Sequence, residues 1–236
     1  MVTRLRLVMV GLTALVAFLL AATVACDGGG DESEATPTPV ASEVQDQLKR
    51  MVLQLEDLPS GVILAEDFFV TAEQSAVESD DREGRLAKLK EWGYILGYDA
   101  TYQPTPAVAT AVGLILVNGT ASLYGSAEGA SASFADAVQT ARTTDWAGLF
   151  GGVEGVNVEE ISSPALTDEM LWLRITAKAS PEAGIGEETL AQDVILFRQE
   201  TARSSLMIAW AMDGGRSDFI QQLVEAHAQR LKDALP

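Results

Sequence analysis

The sequence predicts an α+β domain, a largely antiparallel sheet of about six to seven strands covered by three to four helices as an α-β-α sandwich. Three observations carry that prediction. Short segments alternate apolar and polar residues with period two, and several follow one another with no helix between them. A few segments instead repeat with helical period behind Ser or Asp capping residues. No internal repeat is visible, and strands follow strands with few crossovers between them.

In chain order, Ser42-Glu-Val-Gln45 has the form of a capping box, and Val44, Leu48, Met51, Val52 and Leu55 then recur at helical spacing. Pro59 and Gly61 end that helix. VILAEDFFV reads as a strand. Ser79-Asp80-Asp81 caps a second helix with Leu86, Leu89 and Trp92 on one face, closed by Gly93. YILGYDATY and GLILVNGTASLY read as strands flanking a loop, QPTPAVATAV. A third, Ala-rich helix runs from Ser126 to about Thr143. VNVEEI, MLWLRITAK, DVILFRQ and SLMIAWAM are strand candidates, the last two a hairpin over ETARSS. Ser217-Asp218 caps a final helix with Ile220, Leu223, Val224, Leu231 and Leu235 along one stripe. This order of elements is similar to the compact α-β-α sandwiches of PsbP-like and Mog1-like proteins, a likeness of architecture that no sequence motif carries. It is also compatible with a ferredoxin-like core bearing extra strands.

The chain opens with a cationic tip, Arg4 and Arg6, and residues 7 to 25 contain no charge. A charged tip, an apolar core and small residues before a cut site form the pattern of a secretory signal peptide. The stretch Thr23-Val24-Ala25-Cys26 resembles the lipobox of bacterial lipoproteins. That resemblance implies a diacylglycerol on the Cys26 thiol, palmitate-type acyl chains, and cleavage before Cys26, so that the cysteine begins the mature chain. An uncleaved membrane anchor, an ordinary signal peptide with a free Cys26, and a buried core helix are the alternatives. Cys26 is the single cysteine, so disulfide pairing within the chain is excluded. Several acyl chains on one residue would hold the protein firmly to a membrane. The expected place is the extracytoplasmic face of the cell membrane, in the cell envelope.

Residues 27 to 42, DGGGDESEATPTPVAS, lack the large apolar residues needed to offset ordering and read as a tether. Asp27, Asp31, Glu32 and Glu34 repel anionic headgroups. The organisation expected is therefore 1–25 signal peptide, 26–42 lipidated cysteine and tether, and 43–236 one domain. The chain carries 16 basic and 34 acidic residues, a net of −18, and loss of residues 1 to 25 would take it to −20. Such charge excludes nucleic acid as a partner and favours a soluble monomer.

Residues for chemistry are sparse. His227 is the single histidine, on the rim of an apolar helix stripe, where packing or hydrogen bonding suits it better than a base role. No Cys/His cluster asks for zinc. The densest acidic run, Glu78-Ser79-Asp80-Asp81, is what a helix N-terminus prefers without calcium. Neither a catalytic residue nor a cofactor or metal is expected. Two features suit a binding surface. Tyr94, Tyr98 and Tyr102 are spaced by four in one strand, which would put them on one face, with Trp172 and Tyr124 beside them. The glycine-rich TTDWAGLFGGVEG carries Trp146 and Phe150. Each feature suits plain core packing better. The function expected is a non-catalytic domain that binds a small ligand or an envelope protein. The alternative is an extracytoplasmic hydrolase using acids from Asp67, Asp99 and Asp193.

Replacing Cys26 with Ser should abolish both the lipid and the cut. Mass measurement of the native protein checks this, and a wild-type chain beginning at Met1 with an unmodified thiol refutes it.

Overall fold

The computed structural model describes residues 42–77, 79–149, 154–162, 165–178, 189–212 and 217–236. The signal-like segment, Cys26, nearly all of the tether and Phe150 lie outside the described residues. Among those described, no helix is long and apolar enough to cross a membrane.

Seven strands form one sheet in which every neighbouring pair is antiparallel. They are β1 (Val62–Val70), β2 (Tyr94–Pro104), β3 (Leu114–Tyr124), β4 (Glu154–Glu160), β5 (Glu169–Lys178), β6 (Thr189–Gln199) and β7 (Ala202–Ala211). Their spatial order is β1-β2-β3-β7-β6-β5-β4. The mixed α+β class and the antiparallel sheet match the sequence expectation. The principal helices are α1 (Ser42–Met51), α3 (Arg82–Glu91), α5 (Ala127–Thr143) and α7 (Ser217–Asp233). Two short helices were not expected, α2 (Ala72–Val77) and α4 (Pro106–Val112), and a third, α6 (Trp146–Leu149), is a short turn in the glycine-rich segment. α4 occupies the anticipated loop QPTPAVATAV. Pro106 stands at its start, where a missing N–H costs nothing, and Gly113 at φ 70° ends it. α1 also stops earlier than its apolar spacing suggested, and a 3-10 turn at Leu55–Asp57 follows.

Caps behave as the sequence implies. The Asp81 carboxylate accepts from Gly84 N at 2.9 Å, and Ser126 Oγ accepts from Gly129 N at 3.1 Å. Gly129 also has a packing role: a Cβ there would lie 1.9 Å from the Trp92 carbonyl oxygen, so only glycine lets the start of α5 touch the end of α3.

The sheet's two faces are treated differently. On the first, α1 and α7 bury Leu48, Met51, Leu223 and Val224 against Leu96, Val117, Phe197 and Leu206. On the second, α5 buries Phe134 against Leu171, Leu173 and Leu196 of β5 and β6. The β1, β2, β3 side of that second face is not closed by a comparable apolar layer.

Inside the first face, Asp193 is fully matched. Asp193 is 0% exposed and accepts from Trp172 Nε1 and Trp210 Nε1, each at 2.6 Å, and from Arg174 Nε at 2.9 Å. The Arg174 guanidinium lies 5.2 Å from the Trp210 ring centroid. A buried carboxylate needs this paired charge and these donors.

His227, also 0% exposed, stacks on Phe197 at 5.2 Å between centroids, with Nε2 2.6 Å from Ser204 Oγ. Burial pushes its pKa down to about 3 from 6.5, with Asp57 pulling more weakly the other way. Below about pH 6.5 the unfolded chain therefore takes up a proton that the folded chain refuses, so stability is complete above that pH and declines as pH falls toward 3. Urea titrations between pH 6.5 and 5, above most carboxylate titration, should show a loss approaching about 1.4 kcal/mol per pH unit, absent in His227→Leu.

Candidate functional site

Register explains what lies on the open side of the second face. Antiparallel partners share a face, so rows of side chains run across the strands. One row reads Phe68, Asp99, Thr120, Ser205. The next reads Thr101, Asn118, Met207, and a third Gly97, Ser122, Arg203. Their neighbours along each strand face the first side and are deeply buried, as with Ala100, Val117, Ala121, Ser204 and Leu206. Asp99, Asn118, Thr120, Arg203, Ser205 and Met207 are instead half-buried. These rows floor a groove of about 760 Å³, walled by α3 through Arg85 and Lys88 and by α5 through Asp136, Ala137 and Thr140, with Tyr94 and Trp146 also lining it.

The groove's polar groups form a bonded array. Asn118 Nδ2 donates to Asp99 Oδ1 at 2.7 Å and to Thr101 Oγ1 at 3.0 Å. The Thr120 and Ser205 hydroxyls are 2.7 Å apart. Arg85 and Lys88 reach from α3 to Asp136 on α5, at 3.0 and 2.8 Å, and so span the two walls. Both cations also lie over the Trp92 ring, at 5.4 and 6.0 Å from its centroid.

The tyrosines are not on one face. A register shift between Tyr94 and Leu96 puts an extra residue into β2, so Tyr94 pairs with Tyr124 on the second face while Leu96 pairs with Leu123 on the first. Tyr94 folds over Gly97 and donates to the Val70 carbonyl at 2.8 Å. Tyr98 and Tyr102 belong to the core of the first face. Tyr98 packs on Phe69 at 5.2 Å and donates to Asp67 Oδ2 at 2.8 Å, and Tyr102 donates to the Leu53 carbonyl. Burial raises the pKa of both hydroxyls, which stay protonated. Trp172 is held by Asp193 in the same core. Trp146 is half-buried, with Nε1 donating to the Ala141 carbonyl at 3.0 Å. Of the aromatics singled out from sequence, the groove thus gathers the side chains of Tyr94 and Trp146.

The three acids suggested for hydrolysis are dispersed as well. Asp193 is committed in the first-face core, Asp67 pairs with Ala100 on that same face, and Asp99 lies in the groove opposite. Ser204 and His227 have the spacing of a nucleophile and base, but both are sealed in the core. The Ser204 hydroxyl donates to the Thr120 carbonyl, and His227 Nδ1 has no partner among the described residues. No acid therefore orients the ring. Among the described residues there is also no group of three or more His, Cys, Asp or Glu that could hold a metal ion.

Sequence reasoning passed over Asn118, Thr120, Ser205, Arg203 and Arg85 as site residues. The available signal was polar residues at alternate positions in three strands, in YDATY, VNGTAS and RSSLM. Each alone reads as an ordinary solvated strand face, and only register joins them.

Truncations separate core from groove. Tyr98→Ala should cost about 3 to 5 kcal/mol, as for large buried aromatics, and Trp146→Ala less. Gly97→Ala places a Cβ 2.4 Å from the Tyr94 hydroxyl and should release that ring, costing about 1 kcal/mol through the lost Val70 bond. Urea unfolding of the three variants checks the order.

No family model matches the chain, and no curated protein matches it. Among solved structures it is similar to the extracellular domain of PknH from Mycobacterium tuberculosis, with a TM-score of 0.51 and 9% identity over 83% of this chain and 98% of that one. At that identity the likeness is one of fold.

Proposed function

We propose that the chain is a lipid-anchored, extracytoplasmic, non-catalytic domain that binds a small ligand in the groove on the second face of its sheet. Cys26 supplies the anchor, and the acidic tether lifts the domain from the membrane surface. The observation that carries the binding reading is the half-buried polar floor, Asp99, Asn118, Thr120 and Ser205, left open between helices that elsewhere cover the sheet. A groove of about 760 Å³ falls within the roughly 300 to 1,000 Å³ that small-molecule sites occupy. The extracytoplasmic placement is supported by the charge-free run before Cys26 and by a fold shared with a domain that is itself extracellular. The hydrolase alternative lacks comparable support, because Asp99 lies on the face opposite Asp67 and Asp193, and Asp193 is sealed in the core.

Native mass spectrometry of the protein taken from its own membrane tests the reading. A mass beyond chain and lipid is expected, released by mild activation and absent when Ser205→Tyr fills the groove floor. A species carrying no such mass, or one retained in full by Ser205→Tyr, refutes it.

A further inference from the structure

We infer that the groove takes a neutral, polyhydroxylated ligand, a short glycan segment. This assignment rests on the groove being the binding site proposed above.

Charge narrows the class first. The chain as a whole is strongly acidic, at −18. The groove is not: Arg85, Lys88 and Arg203 line it together with Asp81, Asp99 and Asp136. Two of those cations are already paired with Asp136. An anionic ligand would sit on Asp99 in the floor. A cationic ligand would meet Arg203 two strands away and would have no carboxylate cluster to compensate its lost hydration.

Hydrogen-bond chemistry narrows it further. Thr120 and Ser205 share one hydrogen bond between two hydroxyls, so one of the two O–H hydrogens remains to donate. Asn118 uses its Nδ2 twice, toward Asp99 and Thr101, which fixes the amide and leaves its carbonyl oxygen as an acceptor with no partner among the described residues. Spare donors and spare acceptors thus lie side by side without net charge. A sugar hydroxyl both donates and accepts, and it meets such a floor from either side. An apolar ligand would strand these groups without water, a cost the geometry gives no means to recover.

Aromatic surfaces complete the fit. Phe68 is 39% exposed at the β1 end of the Asp99, Thr120, Ser205 row, and Tyr94 and Trp146 also line the groove. Apolar ring faces beside hydroxyl and amide groups suit a ligand whose C–H faces are apolar and whose edges are polar.

The test is calorimetric titration of the full chain in detergent with three sets of probes. These are neutral linear trisaccharides of glucose, mannose and N-acetylglucosamine, their uronic-acid counterparts, and zwitterionic tripeptides. A neutral trisaccharide should bind, its acidic counterpart more weakly. Ser205→Ala and Asn118→Ala should each weaken binding about tenfold, with folding verified by circular dichroism. Ser205→Ala removes a single hydroxyl and keeps the test valid if Asn118→Ala does not fold. Binding confined to acidic saccharides or peptides overturns the assignment, as does saccharide binding unchanged in Ser205→Ala. If no neutral trisaccharide binds while the native protein still carries a groove-dependent mass, the glycan class fails and the groove reading survives. If that mass is absent too, both fail.

Discussion

A β-sheet has two faces, and whatever face the helices do not cover must be able to meet water. This constraint organises the protein. α1 and α7 lie over the first face and bury the largest apolar cluster there. α5 covers the β5 and β6 half of the second face, where a smaller apolar cluster sits beneath it. The remaining half, over β1, β2, β3 and β7, carries serine, threonine, asparagine, aspartate and arginine interspersed with Phe68, Val70, Leu116 and Met207. An apolar floor at that width would be an adhesive patch. A polar one is a solvated groove whose walls, α3 and α5, are joined by the Arg85, Lys88 and Asp136 ion pairs. These pairs are partly exposed, so they orient the two helices more than they stabilise the fold.

Two residues that look catalytic in the sequence, Asp193 and His227, are consumed by the core. Asp193 is neutralised by Arg174 and two indole donors, an arrangement that ties β5, β6 and β7 together beneath the surface. His227 and Ser204 link α7 to β7, and the Thr120 carbonyl extends that link to β3. The ion pairs of Arg230 with Glu56 and Asp57 connect α7 to the turn after α1, closing the first face at its end. The buried members, Asp193, Ser204 and His227, hold elements in register, and reactivity is sacrificed to that task. The groove, with its partly exposed and mutually bonded side chains, is where polar chemistry stays accessible.

What the sequence by itself determined about this protein is mostly local. Period-two alternation marked β2 and β3, and caps at Asp81 and Ser126 marked the starts of α3 and α5, because these signals depend on a few neighbouring residues. The class followed, since strands succeeding strands pair antiparallel. Local reading missed α4, whose Pro106 start resembles a loop until Gly113 closes the turn. Tertiary structure alone decided the site. One extra residue near Tyr94 turned that side chain to the opposite face from Tyr98 and Tyr102, and a single-residue slip reverses every side chain beyond it. Asp99, Asn118, Thr120 and Ser205 come from three strands and meet only through register, which is set by pairings between residues as far apart as Thr120 and Ser205. A pattern within one strand records which side chains alternate. Which face a helix then covers, and which it leaves open, is decided by the packing of the whole chain.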